Sequence, residues 1–277
     1  MSLEFTPIAD QHAIEACAMV VRLFQPLDPE SMDRLREELF AIASAADLPS
    51  KHAMTGATFF FGPQGVAAPP PPVTGGWLFQ RFAPDGKVQA ELRCEAQAIT
   101  LTVREYDRWA DLMAFAERTL FPALQLYMQT FPVLAAVLLQ YEDKFWAADN
   151  DVSTNALFRD DTQWVNISHK GSKDPWHSHF GMFVARDRPN NRELVNVNVN
   201  VLDMVIPSEQ VERRAAAITV LVGDMYDIPQ QEPLTFSSPE EGVEYARRSL
   251  SISHERQRKI LNNVLQDDYL RAIGALD

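Results

Sequence analysis

Two histidines in a strand-like run, Trp176-His177-Ser178-His179-Phe180, are the residues whose types and spacing are best suited to chemistry. Side chains two apart on a strand share a face, so His177 and His179 would present a pair of imidazoles, a common start for a divalent metal site. His169 or an acid would supply a third ligand. The competing reading makes them strand histidines beside Trp176 that hydrogen-bond neighbours or solvent. That second reading is favoured, and with it no cofactor; a divalent metal on His177 and His179 is the alternative.

A second feature follows closely. Val195 to Val201 alternates without a break, so valines line one face of a strand while Asn196, Asn198 and Asn200 line the other. Asparagine is depleted in strands, so such a ladder calls for a reason. Either it is a polar face that binds a ligand or partner, or it is a solvated face held by cross-strand amide bonds; the solvated face is favoured. Gly171 and His177, with five residues between them, resemble the opening of a cupin metal motif, Gly-x5-His-x-His. The match ends there, because Phe183 and Val184 stand where that motif's glutamate would fall.

Other candidates are weaker. Tyr106 and Trp109 lie on an apolar helical stripe and read as core. His254, at the start of the last helix, has a side chain suited to acid–base chemistry, but a surface or capping role is the favoured reading. Asp149, Asp151, Asp160 and Asp161 lack the spacing and glycine of a calcium loop. No phosphate-binding, dinucleotide-binding, nucleophile-elbow or His-Glu-x-x-His motif is present, which lowers the expectation of an enzyme.

The elements that must position these residues alternate between strand and helix. Ala13 to Phe24 reads as a strand, and Asp28-Pro29-Glu30 as a helix start, with Met32, Leu35, Leu39 and Ile42 inward. Thr58 to Phe61 reads as a short strand, and Pro69 to Pro72 as a stiff loop. Trp77–Phe82, Val88–Cys94 and Ala98–Val103 form a meander turned by Pro84-Asp85-Gly86. A helix over 106–130, kinked or divided by Pro122, leads into a strand from Val133 to Tyr141. Strands follow at 163–169, 176–186, 194–206 and 215–226, with a turn at Pro189-Asn190-Asn191. Ser238-Pro239-Glu240-Glu241 is a capping box, and Ser251 or Ser253 caps a last helix.

These strings predict an α+β fold of two similar β-α-β4-α halves, curved antiparallel sheets packed on helices, with residues 1–131 and 132–277 as the halves or as one continuous domain. At 277 residues, 46% hydrophobic and 23% charged, the chain can bury a full core. Its net charge of −13 disfavours a nucleic-acid partner. Cys17 and Cys94 make no disulfide framework, no secretory signal is visible, and no apolar run is long enough for a membrane helix, so a cytoplasmic protein is expected.

Three stretches carry a resemblance: AIEACAMVVRLFQPL at 13–27; the strand, Glu105-Tyr106-Asp107-Arg108-Trp109, helix and LLQYEDKF segment at 99–145; and the closing SLSISHERQRKILNNVLQDDYLRAIG. Their order is similar to a sporadically distributed family of uncharacterised bacterial proteins with a Tyr-x-x-Trp at the head of a central helix and a Leu-x-Tyr strand after it. The chain departs from that pattern at Asp10-Gln11-His12 and at Glu142-Asp143-Lys144-Phe145. The resemblance implies no activity, and its patchy distribution points to accessory cassettes such as defence or immunity loci. The expectation is therefore a non-enzymatic adaptor, immunity-type or accessory protein that binds a protein partner. The alternative is a metal-dependent enzyme or small-ligand binder using His177 and His179.

Overall fold

Strand alternation and helix caps set the local structure. A computed structural model describes residues 3–9, 12–56, 61–62, 65–66, 73–149, 151–185, 192–206, 211–226 and 233–276. The chain opens with β1 (Phe5–Pro7) and β2 (Ile14–Leu23), then α1 (Pro29–Arg34) and α2 (Arg36–Ala45). Asp28 caps α1 by accepting from the backbone N–H of Ser31 at 2.7 Å, with Pro29 behind it. Strands β3 (Ser50–Gly56), β4 (Phe61–Gly62), β5 (Gly65–Val66), β6 (Val73–Phe82), β7 (Val88–Glu95) and β8 (Ala98–Val103) follow. Gly86 takes φ +85° in the turn between β6 and β7, a conformation a side chain would resist.

Two short helices come next, α3 (Trp109–Arg118) and α4 (Leu120–Thr130), and then the long β9 (Val133–Ala147). The second part continues with β10 (Trp176–Ala185), β11 (Arg192–Ile206), β12 (Val211–Met225), β13 (Leu234–Thr235), α5 (Pro239–Val264) and α6 (Asp267–Ala272).

All strands except β4 and β5 join one antiparallel sheet of eleven strands, whose main path runs β10-β11-β12-β9-β2-β8-β7-β6-β3. The seam between β2 and β9 lies at its middle. Alternate residues of the long strands are buried on one face: Met19 and Val21 of β2, Val197 and Val199 of β11, and Ile218 and Val222 of β12. Helix residues such as Leu124, Leu250 and Ile260 pack into the same cores. The other phase, for example Ala16, Ala18, Thr100, Thr102, Thr219 and Asn198, is partly exposed and belongs to neither core. Two hydrophobic clusters form, one under α2 to α4 and the start of α5, the other under the end of α5 and α6. Each large, fully buried side chain in them, such as Phe79 or Phe145, contributes roughly 2 kcal/mol.

Several expectations change. The central helix divides at Thr119, whose hydroxyl donates to the carbonyl of Phe115 at 2.7 Å, and not at Pro122. Pro122 sits in the first turn of α4, where its missing N–H costs nothing. No strand forms over 163–169; the segment is a loop ending in a 3-10 turn at Ile167–His169, so three long strands rather than four follow β9. Ser251 and Ser253 cap nothing, because α5 is continuous over 26 residues and Ser253 is buried inside it. The box at Ser238 forms with its return bond shifted by one residue: Ser238 accepts from Glu241 N–H at 3.3 Å, while the Glu241 carboxylate accepts from the N–H of Ser237, just before the cap, at 3.0 Å. Pro69 to Pro72, Pro189-Asn190-Asn191 and Thr58 to Phe60 lie outside the described residues. The edge strand β3 had no strand pattern in the sequence, since Ser50-Lys51-His52 is polar throughout.

Candidate functional site

The histidines and the asparagine ladder do come together. In the β10–β11 register His177 stands opposite Asn200 and His179 opposite Asn198. Paired residues share a face, so His177, His179, Asn196, Asn198 and Asn200 lie side by side on the face opposite the valines, the histidines exposed and the asparagines half-buried. Asn196 Nδ2 is 3.3 Å from His179 Nε2. Trp176 points the other way, 5.8 Å from the Phe158 ring in the core. His169 sits exposed in its 3-10 turn. Among the described residues no group of three His, Cys, Asp or Glu side chains is placed to hold a metal.

A second cluster lies on the covered face, over the seam between β2 and β9. Tyr141 and Asp143 point inward from β9, where the alternation of Leu139, Tyr141, Asp143 and Phe145 sets an acid in an apolar phase. His254, Gln257, Arg258 and Leu261 descend from α5 at helical spacing. Tyr106 and Trp109 close the side at the head of α3. His254 is thus no cap or surface residue. Its ring stacks on Trp109, with centroids 4.2 Å apart and planes 2° from parallel. Its Nδ1 lies 3.2 Å from the Tyr141 hydroxyl, which is 3.4 Å from the Tyr106 hydroxyl.

Burial governs the electrostatics here. It lowers the His254 pKa to about 4, with Arg258 adding to the effect against Glu255. It raises Tyr106 to about 12 and Tyr141 well above its ordinary value. Asp143 is pushed up to about 7 by burial and by the neighbouring Glu142. Cys17 faces Tyr141 across the β2–β9 pair, but burial raises its thiol so far that no thiolate nucleophile forms. The cluster therefore offers a buried acid, a neutral imidazole and two phenol hydroxyls, and no thiolate nucleophile.

Sequence reasoning set His254 aside as a surface or capping residue, read Tyr141 only as part of a strand, and passed over Asp143 and Gln257. An acid in the buried phase of a strand, and a histidine and glutamine in phase with apolar residues on a helix, were the signals available.

Fold and clusters define an α+β protein whose sheet is covered by helices on one face, with a small, mainly apolar cavity beneath its longest helix that holds a buried acid on its lining. The chain matches no protein-family model and no curated protein. No described helix is long and apolar enough to cross a membrane.

Proposed function

We propose that the chain is a non-enzymatic interaction protein of the bacterial cytoplasm, an adaptor, immunity-type or accessory subunit that binds a protein partner along β10. The observation that supports this is the state of the sheet's two edges. Natural sheets blunt their edges with charge, proline, bulges or short length. The edge strand β3 has seven residues, an exposed Lys51 and a register shift between Met54 and Thr55. At the other edge β10 has ten residues, Trp-His-Ser-His-Phe-Gly-Met-Phe-Val-Ala, with no ionised carboxylate, lysine or arginine and no proline. Its register with β11 is unbroken, and Met182 and Phe183 are exposed.

Such an edge accepts an extended peptide segment as a further strand, with main-chain hydrogen bonds giving affinity and alternate side chains giving specificity. His177, His179 and Phe183 would sort the partner's side chains, and Asn196, Asn198 and Asn200 would continue the polar face beside them. The net charge of −13 favours a segment with basic flanks. Capture from the native host, with wild type and Phe183→Lys compared side by side, tests this. A partner held by wild type and lost by the variant supports it; one held equally by both, or none reproducibly held, overturns it.

Within this reading the chain consists of two related halves meeting at the β2–β9 seam. Support comes from the path on each side: after the seam strand, the chain crosses to the sheet's edge and meanders back to pair with it. The separate hydrophobic clusters agree with that division. A second reading, a metal or small-ligand site on His177 and His179, rests on their shared exposed face. Metal analysis of purified protein against a His177→Ala/His179→Ala variant decides it.

A further inference from the structure

The cavity beneath α5 has a chemistry of its own, independent of the β10 edge. Its volume is about 70 Å³, against the ~10–15 Å³ that one water needs on the same measure. It holds a few waters or one molecule of a few heavy atoms. Ile14, Val220 and Leu261 form apolar walls, and the rings of Tyr106 and Tyr141 form another.

Two polar groups on its lining, Asp143 and Gln257, carry acceptor oxygens, beside the Tyr106 and Tyr141 hydroxyls, the His254 imidazole and Arg258. Asp143 is 3% exposed, and its carboxylate meets no hydrogen-bond donor among the described residues. Gln257 is 4% exposed, and its Nε2 donates to the carbonyls of Leu139 at 2.7 Å and Val220 at 2.8 Å. That orientation leaves Gln257 Oε1 in the lining, buried and without a partner. A buried acceptor left unpaired costs about 1–3 kcal/mol, and a buried carboxylate more. Gln257 Oε1 is such a group, and Asp143 lines the same cavity, so a donor bound there would satisfy the amide oxygen and meet the carboxylate.

Charge narrows the choice. Asp143 sits in a low-dielectric site beside Glu142, with Tyr141 on its own strand, Cys17 on β2, and His254 and Arg258 on α5. His254 is neutral at ordinary pH and offers no positive charge. Arg258 reaches the rim but is itself exposed, and it forms no ion pair with Asp143. We infer that this cavity is a binding site for a small protonated primary amine, with Asp143 as counter-ion, Gln257 Oε1 as a second acceptor and the tyrosine rings around the alkyl carbon. An ammonium group supplies three N–H donors, enough for both acceptors, and aromatic faces attract it further. The apolar walls accept a short alkyl chain. A metal ion fits less well, since one carboxylate and one amide oxygen are fewer than the six to eight oxygens calcium takes.

The experiment is an NMR titration of the full ¹⁵N-labelled chain with methylammonium chloride at constant ionic strength, sodium chloride making up the balance. The Gln257 side-chain amide and the Trp109 indole N–H are the reporters. Saturable shifts at these two groups are expected, weakened about tenfold or more in Asp143→Asn, a loss of about 1.4 kcal/mol or more. Methanol, which is neutral and of similar size, should produce no saturable shift. Equal binding by Asp143→Asn, equal shifts with potassium chloride, or no saturation in wild type would each overturn the assignment. Because Asp143→Asn keeps the side-chain volume, its fold is checked by the same spectra. Arg258→Ala, which removes the rim cation, should bind methylammonium at least as tightly as wild type; a loss of binding there would place the site on the rim instead.

Discussion

Asp143→Asn should make the protein more stable at alkaline pH than at acid pH, relative to wild type. Burial moves the Asp143 carboxyl from 3.8 to about 7, roughly three units, and each unit corresponds to about 1.4 kcal/mol. The sign follows from proton counts. Between those values the folded state keeps a proton that the unfolded state has released, so stability falls as pH rises from about 4 to about 7. The full loss is about 4 kcal/mol, and asparagine, which cannot ionise, avoids it. The protein's pI of about 4.9 makes the acid end of this window prone to precipitation. A practical comparison therefore runs from about pH 5.5 to about pH 8, where the remaining loss is about 2 kcal/mol.

His254 acts in the opposite direction. Its folded pKa is lowered from 6.5 to about 4, so its contribution is present above 6.5 and lost as pH falls towards 4. The two groups offset one another on the acid side, and wild type alone should show a shallow profile there. Subtracting wild type from Asp143→Asn cancels His254 and every other shared group. Urea unfolding by linear extrapolation measures the difference. The stability gap between variant and wild type should widen by about 2 kcal/mol from about pH 5.5 to about pH 8. A gap that stays constant with pH would refute the reasoning, because it would mean that the folded state does not hold the Asp143 proton.

Other outcomes can be checked more simply. Gly223→Ala should destabilise by about 3 kcal/mol or prevent folding, since an added Cβ would lie 2.1 Å from the carbonyl oxygen of Val137 on the neighbouring strand; thermal unfolding reports it. Gln257→Leu removes the amide that bonds the Leu139 and Val220 carbonyls, and a loss of about 2–3 kcal/mol in urea is expected. Asp28→Ala removes the cap of α1 and should cost about 1 kcal/mol, with Asp28→Asn restoring most of it. Cys17 and Cys94, at 1% and 0% exposure with thiols raised by burial, should react with an aromatic disulfide reagent only on unfolding; rapid native labelling would contradict that packing.

Local pattern sufficed where one residue's neighbours in sequence decide its fate. The valine phase of Val195 to Val201, the cap at Asp28, the box at Ser238 and the Pro84-Asp85-Gly86 turn were all legible, because strand alternation and capping are set within a few residues. Pairing was not. Ser50-Lys51-His52 becomes an edge strand only because β6 offers it hydrogen bonds, and the 163–169 run, apolar enough for a strand, finds no partner. His177 and His179 were visible as a pair, and the register alone set them opposite Asn200 and Asn198.

The cavity cluster was hidden for the same reason. Tyr106, Tyr141, Asp143, His254 and Gln257 come from three separate parts of the chain, and each taken singly reads as core or surface. By itself the sequence determined the α+β class, the phase of most strands and the starts of α1 and α5, all of which follow from short-range sterics and periodicity. Only the tertiary structure decided that β2 and β9 meet at the sheet's centre, that β10 is the last strand of its path among the described residues, and that α5 lies over a buried acid. Those depend on which distant backbones pair, and on the desolvation that such pairing imposes on Asp143.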